Sequence, residues 1–374
     1  MPTTQTYAKA CPLAPLPPDA PRDLTDPEQG LHAMQIVIDR IRAGLAALWG
    51  CPSIVHRAHP VVTVADNYDR LHYPPGGAAR DARYSRYVGE GLLLRTQTSA
   101  MIPPLLRSLA AEPPGDLLLV CPGLVWRRDA IDRLHTGEPH QADVWRIARR
   151  PLTTRDLRDM VRRAVESALP GWEHRVVAAE HPYTTDGLQV DVRDGARWVE
   201  VAECGLALPA LLGESGLPPD RYAGLAMGLG LDRLLMLTKG MDDIRLLRAE
   251  DPRIARQMLD LAPYRAVSSQ PAARRDISVM VPAELDAEGA GDRIRAALGA
   301  AAACVEEVQI LSETAAGDLP AAAAERMGAR TGQKNLLVRL LIRDLERTLT
   351  SEEANTVRNR VYAALHEGER GEWC

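Results

Sequence analysis

Three consecutive segments in the middle of the chain constrain its fold most strongly, because each of them alternates apolar and polar residues. They read HRVVAAEHPY, GLQVDVRDG and RWVEVAECG, and the last two meet at Asp194-Gly195. Such alternation is typical of strands with one buried face, and Asp-Gly is typical of a tight hairpin turn. The pattern predicts an antiparallel meander in a protein of mixed α and β structure.

Helical patterns surround this meander. Apolar residues at positions 34, 37, 38, 41, 45 and 48 predict a helix over 31–49 that Gly50 closes. The segment 152–169 predicts an amphipathic helix that Thr154 caps. VVTVA, GLLLRT and DLLLVC predict short strands, and GLAMGLGLDRLLMLT predicts a buried helix entered through a close-packed, glycine-rich turn.

The chain is expected to divide into three parts. Residues 1–30 hold six prolines between positions 11 and 27, which predicts an extended, poorly ordered leader. The small polar segment 265–271 predicts a boundary between a larger domain at 31–265 and a smaller one at 271–367. The smaller domain shows the β-α-β-β-α order of a ferredoxin-like fold, and Ser351 is expected to cap its last helix.

Composition limits the possible classes of function. The 374 residues are 46% hydrophobic and 25% charged, which is ordinary for a globular protein of two or three domains. Because the net charge is −5, a nucleic-acid partner would have to bind local basic patches. The six cysteines form no CxxC pair, which favours a reducing compartment: the cytoplasm, with the mitochondrial matrix as the alternative. No apolar run approaches the ~20 residues of a membrane span, so no membrane partner is expected.

Three motifs in the larger domain combine charged residues with apolar or glycine-rich sequence. They are RRD at 127–129, WVEVAECG at 198–205 and GLGLDRL at 228–234. Two arginines from separate elements can clamp the phosphates of ATP, and a carboxylate such as Glu200 can hold Mg²⁺. GLGLDR lacks the third glycine and the downstream acid of a dinucleotide-binding motif, so that class of site is not favoured.

Taken together, these motifs resemble the class II aminoacyl-tRNA synthetases of phenylalanyl type, over residues 31–367. PGLVWRRDAIDRLHTGEPHQAD is similar to motif 2 of that family, and GLAMGLGLDRLLML followed by DDIRLL is similar to motif 3. LLLRTQTSA and WVEVAECGLALP resemble two further family segments, and RRDIS with RTLTSEEAN resembles the anticodon-binding module. The resemblance implies an α+β fold, with an antiparallel sheet flanked by helices and a small ferredoxin-like domain on the same chain, as in the organellar-type enzyme.

The resemblance also implies roles in ATP binding. Arg127 would bind the α-phosphate and Arg233 the γ-phosphate. His135 would contact the triphosphate, and Glu200 would orient ATP and its Mg²⁺. Adenylate formation needs no protein base, because the attacking carboxylate is already ionised. Arg128 is expected to form a surface salt bridge instead of taking part in catalysis.

An amino-acid site is implied by the same resemblance. Gln141 and Asp143 would receive the substrate ammonium, although the family has Glu where Asp143 stands. Where the family has Phe-Pro-Phe-Thr-Glu-Pro, this chain reads His-Pro-Tyr-Thr-Thr-Asp from His181 onward. Such a polar wall favours a ligand hydroxyl or amine, whereas phenylalanine still binds if the two polar side chains bond each other or water. The remaining residues of this expected site are Thr98, Ser99, Tyr183 and Ala226.

The chain contains no phenylalanine, although it has 9 tyrosines and 6 tryptophans. A chain of this length would carry on the order of ten. Leucine, methionine and tyrosine are imperfect substitutes for a buried phenyl ring. We therefore consider the hypothesis that phenylalanine codons are unreliable where this protein works, either because phenylalanine is scarce or because an analogue is loaded in its place.

The expected partners are ATP with Mg²⁺, an aromatic amino acid and tRNA, for a chain that acts as a monomer or a homodimer. The leading hypothesis is a ligase that charges tRNA with phenylalanine or a close analogue. One alternative is an adenylate-forming enzyme that passes its amino acid to a carrier protein or small molecule. The anticodon-binding module argues against it, because such an enzyme has no use for that module. Another is a non-catalytic tRNA binder, against which the intact ATP motifs argue. The residues expected to contact tRNA phosphates are Arg274, Arg275, Lys334, Arg339, Arg343 and Arg347.

Overall fold

The computed structural model describes residues 15–18, 20–81, 84–267 and 271–371, which group by their contacts into two units. The larger unit holds the described residues up to Arg127, together with Glu138–Met241 and Gln257–Tyr264. The C-terminal unit holds Arg128–Gly137, Asp242–Arg256 and the described residues from 265 onward. The loop after Arg127 thus groups with the C-terminal unit, which the sequence does not indicate. The domain bounds given above stay predictions.

A seven-stranded sheet forms the larger unit. Its strands, with those of a smaller sheet, are β1 (Ser53–Val55), β2 (Val61–Thr63), β3 (Tyr87–Gly89), β4 (Leu92–Leu94), β5 (Asp116–Leu124), β6 (His140–Ala148), β7 (His174–Ala178), β8 (Thr184–Asp194), β9 (Arg197–Ala207) and β10 (Ala223–Gly230). The large sheet has the order β1-β5-β6-β10-β9-β8-β7, with β1 and β5 parallel and all other neighbours antiparallel. The smaller sheet has the order β2-β4-β3. The predicted antiparallel meander is confirmed as β7-β8-β9.

Helices cover both faces of the large sheet. They are α1 (Ala33–Trp49), α2 (Val64–Asn67), α3 (Ile102–Leu109), α4 (Thr154–Ala168), α5 (Pro209–Glu214) and α6 (Leu231–Lys239). α1 packs on α4, α6 and β5, while α4 and α6 reach β9, so these three helices share one face. Leucines of α3 and α5 pack on the opposite face against Trp145 and Ala226. The mixed α+β architecture is therefore confirmed.

The described residues of the C-terminal unit form a three-stranded sheet, two long helices and two short ones. Its elements are α7 (Pro252–Ala255), β11 (Ala273–Pro282), α8 (Ala287–Leu298), β12 (Val305–Ala315), α9 (Ala321–Met327), β13 (Gln333–Ile342) and α10 (Ser351–Leu365). The strand order is β11-β13-β12, and both pairs are antiparallel. The predicted β-α-β-β-α order is present, with the short α9 added between its last two strands. No helix in the described part of the chain is long and apolar enough to cross a membrane.

The two predicted helix caps are wrong by one residue. Thr153, not Thr154, caps α4, and Thr350, not Ser351, caps α10. Each hydroxyl accepts from the backbone N–H three residues on, and the acid at that position returns a bond to the cap N–H. A capping box needs Glu or Asp at the third position after the cap, which selects Thr153 and Thr350 over their neighbours. The returning acids are Asp156 and Glu353.

The glycine-rich stretch before α6 is the strand β10, not the predicted turn into a helix. α6 begins only at Leu231. A Cβ atom built on Gly224 would lie 2.8 Å from the Cβ of Ala207, so the neighbouring strand requires a glycine here. Glycine and alanine fit this crowded strand, but they do not show the clear apolar–polar alternation of most strands. The sequence pattern was therefore ambiguous.

The leader is ordered over the part that reaches α1, so the prediction of a poorly ordered segment is wrong there. Leu24 and Thr25 are buried, and the Leu24 N–H donates to His140 Nε2 at 3.1 Å. A carboxylate oxygen of Asp23 accepts from the Leu124 N–H at 3.3 Å. Prolines disfavour long helices and strands but do not prevent packing through side chains and single backbone groups. Residues 1–14 lie outside the described part.

Candidate active site

A β-bulge in β9 places two glutamates on the same face of the large sheet. Asp191 pairs with Glu200, whereas the residue before Asp191 pairs with Ala202. β9 thus contributes one extra residue, Val201, at this point. Side chains alternate between the two faces of a sheet, and an extra residue reverses the alternation. Glu200 therefore lies on the same face as Glu203.

Open space lies above the middle of this face. Asp143 of β6, Gly228 of β10 and Glu203 of β9 are direct neighbours across three strands. A Cβ atom built on Gly228 meets no other atom within 4 Å. The glycine therefore leaves room for a ligand between two acidic side chains.

Two arginines lie within electrostatic reach of Glu200. Arg127 Nε donates to the carbonyl oxygen of Thr96 at 2.9 Å, and Arg233 Nη1 donates to that of Glu200 at 3.2 Å. Burial raises the pKa of the Glu200 carboxyl, Arg233 opposes this shift, and Glu203 adds to it. The structure thus brings together Arg127, Glu200 and Arg233, although their roles stay predictions.

Asp143 is a buried carboxylate that already holds three side-chain donors. Thr98 Oγ1 donates to it at 2.8 Å, Ser99 Oγ at 3.0 Å and Trp145 Nε1 at 2.9 Å. Burial raises the pKa of Asp143, and these three hydrogen bonds oppose the shift. Gln141 Oε1 accepts from the Thr98 N–H at 3.4 Å. The predicted residues are together, but a direct contact between Asp143 and the substrate ammonium stays a prediction.

An aromatic wall stands beside this cluster. The Tyr183 ring stacks on Trp145 with centroids 6.2 Å apart and lies 6.4 Å from the ring of Tyr73. Ala226 pairs with Trp145 in the floor and contributes only a methyl group, while its contact with the substrate stays a prediction. Burial raises the pKa of Tyr73 to about 12, and its hydroxyl donates to Gln97 Oε1 at 3.0 Å. Tyr73 and Trp145 belong to no motif named above, and Gln97 lies in the segment LLLRTQTSA without having been predicted as a site residue.

Two departures from the family pattern meet in space. His181 Nε2 lies 3.3 Å from a carboxylate oxygen of Glu203, and His181 Nδ1 lies 3.3 Å from Thr184 Oγ1. The pKa of Glu203 is lowered by His181 first and by Arg127 further, against the effect of its burial. The pairing of Glu203 with His181 could not be seen from the sequence, because the two residues lie on different segments.

A buried hydrogen-bond chain holds the start of α6. Because Leu24 N–H donates to Nε2 of His140, that nitrogen carries no proton, and Nδ1 donates to Asp232 at 3.0 Å. Asp232 also accepts from the His140 N–H at 2.5 Å. His140 is therefore a satisfied buried histidine, and it fixes Asp232, the residue that precedes Arg233.

His135 and Arg128 lie in the loop 128–137 of the C-terminal unit. His135 Nδ1 lies 2.7 Å from an oxygen of Asp132. Arg128 pairs with Asp292 at 3.2 Å, in line with its expected salt bridge. Arg133 donates to the fully buried Glu306, which anchors the loop within this unit. The contact of His135 with the triphosphate stays a prediction.

Most residues expected to contact tRNA phosphates already have partners in the C-terminal unit. Arg275 donates to Asn355 at 2.7 Å. Exposed Arg274 forms no salt bridge among the described residues and interacts with Asp276 only at longer range. The paired residues, with their carboxylates, are Lys334 with Glu313, Arg339 with Asp276, Arg343 with Glu306, and Arg347 with Glu353.

Comparison with known proteins agrees with this architecture. The family model of the tRNA synthetases class II core domain (F) matches residues 23–258. The chain belongs to this family. The model of the ferredoxin-fold anticodon binding domain matches residues 268–370. The class II core and the anticodon-binding domain expected from the motifs are thus both confirmed.

Named relatives of this class II chain include the phenylalanine–tRNA ligase alpha subunit of Prochlorococcus marinus (strain NATL2A), 38% identical over 191 residues. The match covers 51% of this chain and 56% of the relative, so the chain spans little more than half the length of that protein. The subunit of the same name from Nostoc sp. (strain PCC 7120) is 32% identical over 231 residues, 62% of this chain and 68% of the relative. The solved pyrrolysyl tRNA synthetase PylSc of Desulfitobacterium hafniense has a TM-score of 0.44 at 18% identity, covering 59% of this chain and 74% of that one.

Proposed function

We propose that this chain activates phenylalanine or a close aromatic analogue with ATP and transfers it to a tRNA of the phenylalanine type. The observation that carries the proposal is the placement of Arg127 and Arg233 around Glu200, on the open sheet face beside the aromatic wall. The relatives named phenylalanine–tRNA ligase alpha subunit support the same activity.

Activation joins the amino-acid carboxylate to the α-phosphorus of ATP. A carboxylate oxygen attacks phosphorus, the bond to the bridging oxygen breaks, and pyrophosphate leaves with the electron pair. Arg127, held by the Thr96 carbonyl, stabilises the charge that builds on the α-phosphate oxygens. Arg233, held by the Glu200 carbonyl, binds the leaving phosphates. The tRNA hydroxyl then attacks the carbonyl carbon, AMP departs and the hydroxyl proton passes to solvent.

Glu200 fits a Mg²⁺ that arrives with ATP. Its pKa is raised by burial and by the nearby carboxylates of Glu203 and Asp191, and a divalent cation relieves this repulsion. Mg²⁺ commonly takes one or two carboxylates and completes its coordination with phosphate oxygens and water. The metal would supply charge neutralisation at the phosphates, while Glu200 holds it in place.

The amino acid would lie above Gly228 with its ring against Trp145, Tyr73 and Tyr183. Its ammonium would lie towards Gln141 and the cluster around Asp143. The C-terminal unit would bind tRNA, with exposed Arg274 as a contact for phosphate.

The described cysteines Cys51, Cys121, Cys204 and Cys304 are free thiols, which supports the proposal that the protein acts in the cytoplasm.

Amino-acid-dependent exchange between ATP and pyrophosphate tests the proposal. We expect phenylalanine or an aromatic analogue to support exchange, and Arg127→Ala or Arg233→Ala to lower it by roughly 100- to 1,000-fold, as for loss of one charge-stabilising donor. Arg128→Ala is the matched control, because its partner is Asp292 and its loss leaves the active face intact. Native-like exchange in both of the first two variants would contradict the assignment.

A further inference from the structure

Two polar groups in the aromatic wall lack good hydrogen bonds. The Tyr183 hydroxyl has one hydrogen-bond contact among the described residues, a long one of 3.4 Å to Ser99 Oγ, whose single proton is already donated to Asp143. The His181 side chain is 9% exposed, and its Nε2 atom, 3.3 Å from Glu203, does not meet hydrogen-bond geometry. A buried polar group without a partner is costly, so both positions call for an additional partner.

These two side chains do not satisfy each other. Their ring centroids lie 6.3 Å apart at a tilt of 36°, and no hydrogen bond joins Tyr183 to His181 among those of the described residues. His181 uses Nδ1 towards Thr184, which leaves Nε2 on the side of Glu203. The wall therefore offers hydrogen-bond donors from the two rings and an acceptor from the carboxylate.

We propose that the pocket selects a phenylalanine that carries a hydroxyl group on its ring. This inference rests on the proposed function, because it concerns the amino acid that the same site activates. A phenolic hydroxyl can accept from Tyr183 or His181 and donate to Glu203 at once. A plain phenyl ring can neither accept from Tyr183 or His181 nor donate to Glu203, so these groups gain no further hydrogen bond from it. A ring amine is uncharged at neutral pH and could donate to Glu203, but its delocalised lone pair makes it a poor acceptor for the two donors.

The composition of the chain agrees with this choice. A synthetase that loads a hydroxylated analogue onto a tRNA of phenylalanine type makes every phenylalanine codon ambiguous. This chain has no phenylalanine, so its own sequence is translated unchanged whichever amino acid that tRNA carries.

The test compares kcat/KM for pyrophosphate exchange with phenylalanine and with its ortho-, meta- and para-hydroxy derivatives. We expect one hydroxylated isomer to be preferred over phenylalanine by about 10- to 100-fold. Tyr183→Phe and Glu203→Gly should each reduce this preference, because each raises KM for the hydroxylated isomer more than KM for phenylalanine. Tyr222→Phe is the matched control: it also removes a tyrosine hydroxyl, but one that accepts from Arg149 outside the aromatic wall, so the preference should persist.

Three outcomes separate the inference from the function on which it rests. A preference for a hydroxylated isomer that is lost in the two variants and kept in the control supports the inference. A preference for plain phenylalanine that neither variant changes overturns it and leaves the proposed function standing. Exchange with none of the four amino acids overturns the proposed function itself. Thermal unfolding of each variant shows whether a lost preference follows from a lost fold.

Discussion

Gly228 allows the position of the active face to be tested without disturbing the fold. A Cβ atom there meets nothing within 4 Å, and the residue has no positive φ, so Gly228→Ala should be neutral or stabilise the protein by up to about 1 kcal/mol. That corresponds to a rise of about 2–4 °C in Tm. Gly228→Val places more bulk between Asp143 and Glu203, where the amino acid would lie. Since a misplacement of 1 Å can cost about 100-fold in rate, we expect at least that loss in exchange.

Two other glycines serve as controls for this experiment. Gly205 lies in the same floor, but its Cβ would stand 2.6 Å from that of Thr184, so Gly205→Ala should destabilise the fold by about 1–3 kcal/mol. Gly115→Val, in a turn with equally open surroundings, should change neither stability nor activity. Native exchange by a folded Gly228→Val variant would refute the assignment of this face as the substrate site.

The remaining predictions concern stability in the C-terminal unit. Thr350→Ala should cost about 1 kcal/mol in chemical unfolding and Ser351→Ala only a few tenths; equal costs would contradict the assigned cap. Hydrogen bonds from Arg347 first and then from Thr350 lower the pKa of Glu353 from 4.5 to about 2. The stabilisation that these bonds give is therefore complete above pH 4.5 and is lost as the pH falls through 2. A midpoint near pH 4.5 in an NMR titration of the Glu353 carboxyl would contradict this lowered pKa. Glu306→Gln should cost about 2 kcal/mol, because it removes a buried charge shared by three partly exposed arginines, and unchanged unfolding would refute that view.

Local chemistry explains which parts of the fold are predictable from the sequence. The meander β7-β8-β9 was predictable because Asp194-Gly195 fixes a turn and the flanking segments alternate apolar and polar residues. α1 was predictable because its apolar residues have helical spacing and Gly50 marks its end. Gly50 adopts a left-handed conformation with φ 62°. β10 was not predictable, because Gly224 is required by a close approach of β9 that only the assembled sheet creates.

The site shows the same division between local and assembled features. Arg127, Glu200 and Arg233 could be named in advance because each lies in a recognisable motif. The bulge at Val201, which puts Glu200 beside Glu203, depends on the register between β8 and β9 and leaves no mark in the sequence. The burial of Asp143 under three donors is likewise a property of the packed sheet.

The central claim is that this chain joins an aromatic amino acid to tRNA, and the direct measurement is acid-stable charging of a phenylalanine-type tRNA by the purified full chain with ATP and Mg²⁺. We predict charging that falls steeply between about 50 and 200 mM salt, because phosphate contacts release counterions, while pyrophosphate exchange changes little. Arg274→Ala should weaken charging further without affecting exchange. Robust exchange with no transfer to tRNA at any salt concentration would contradict the claim.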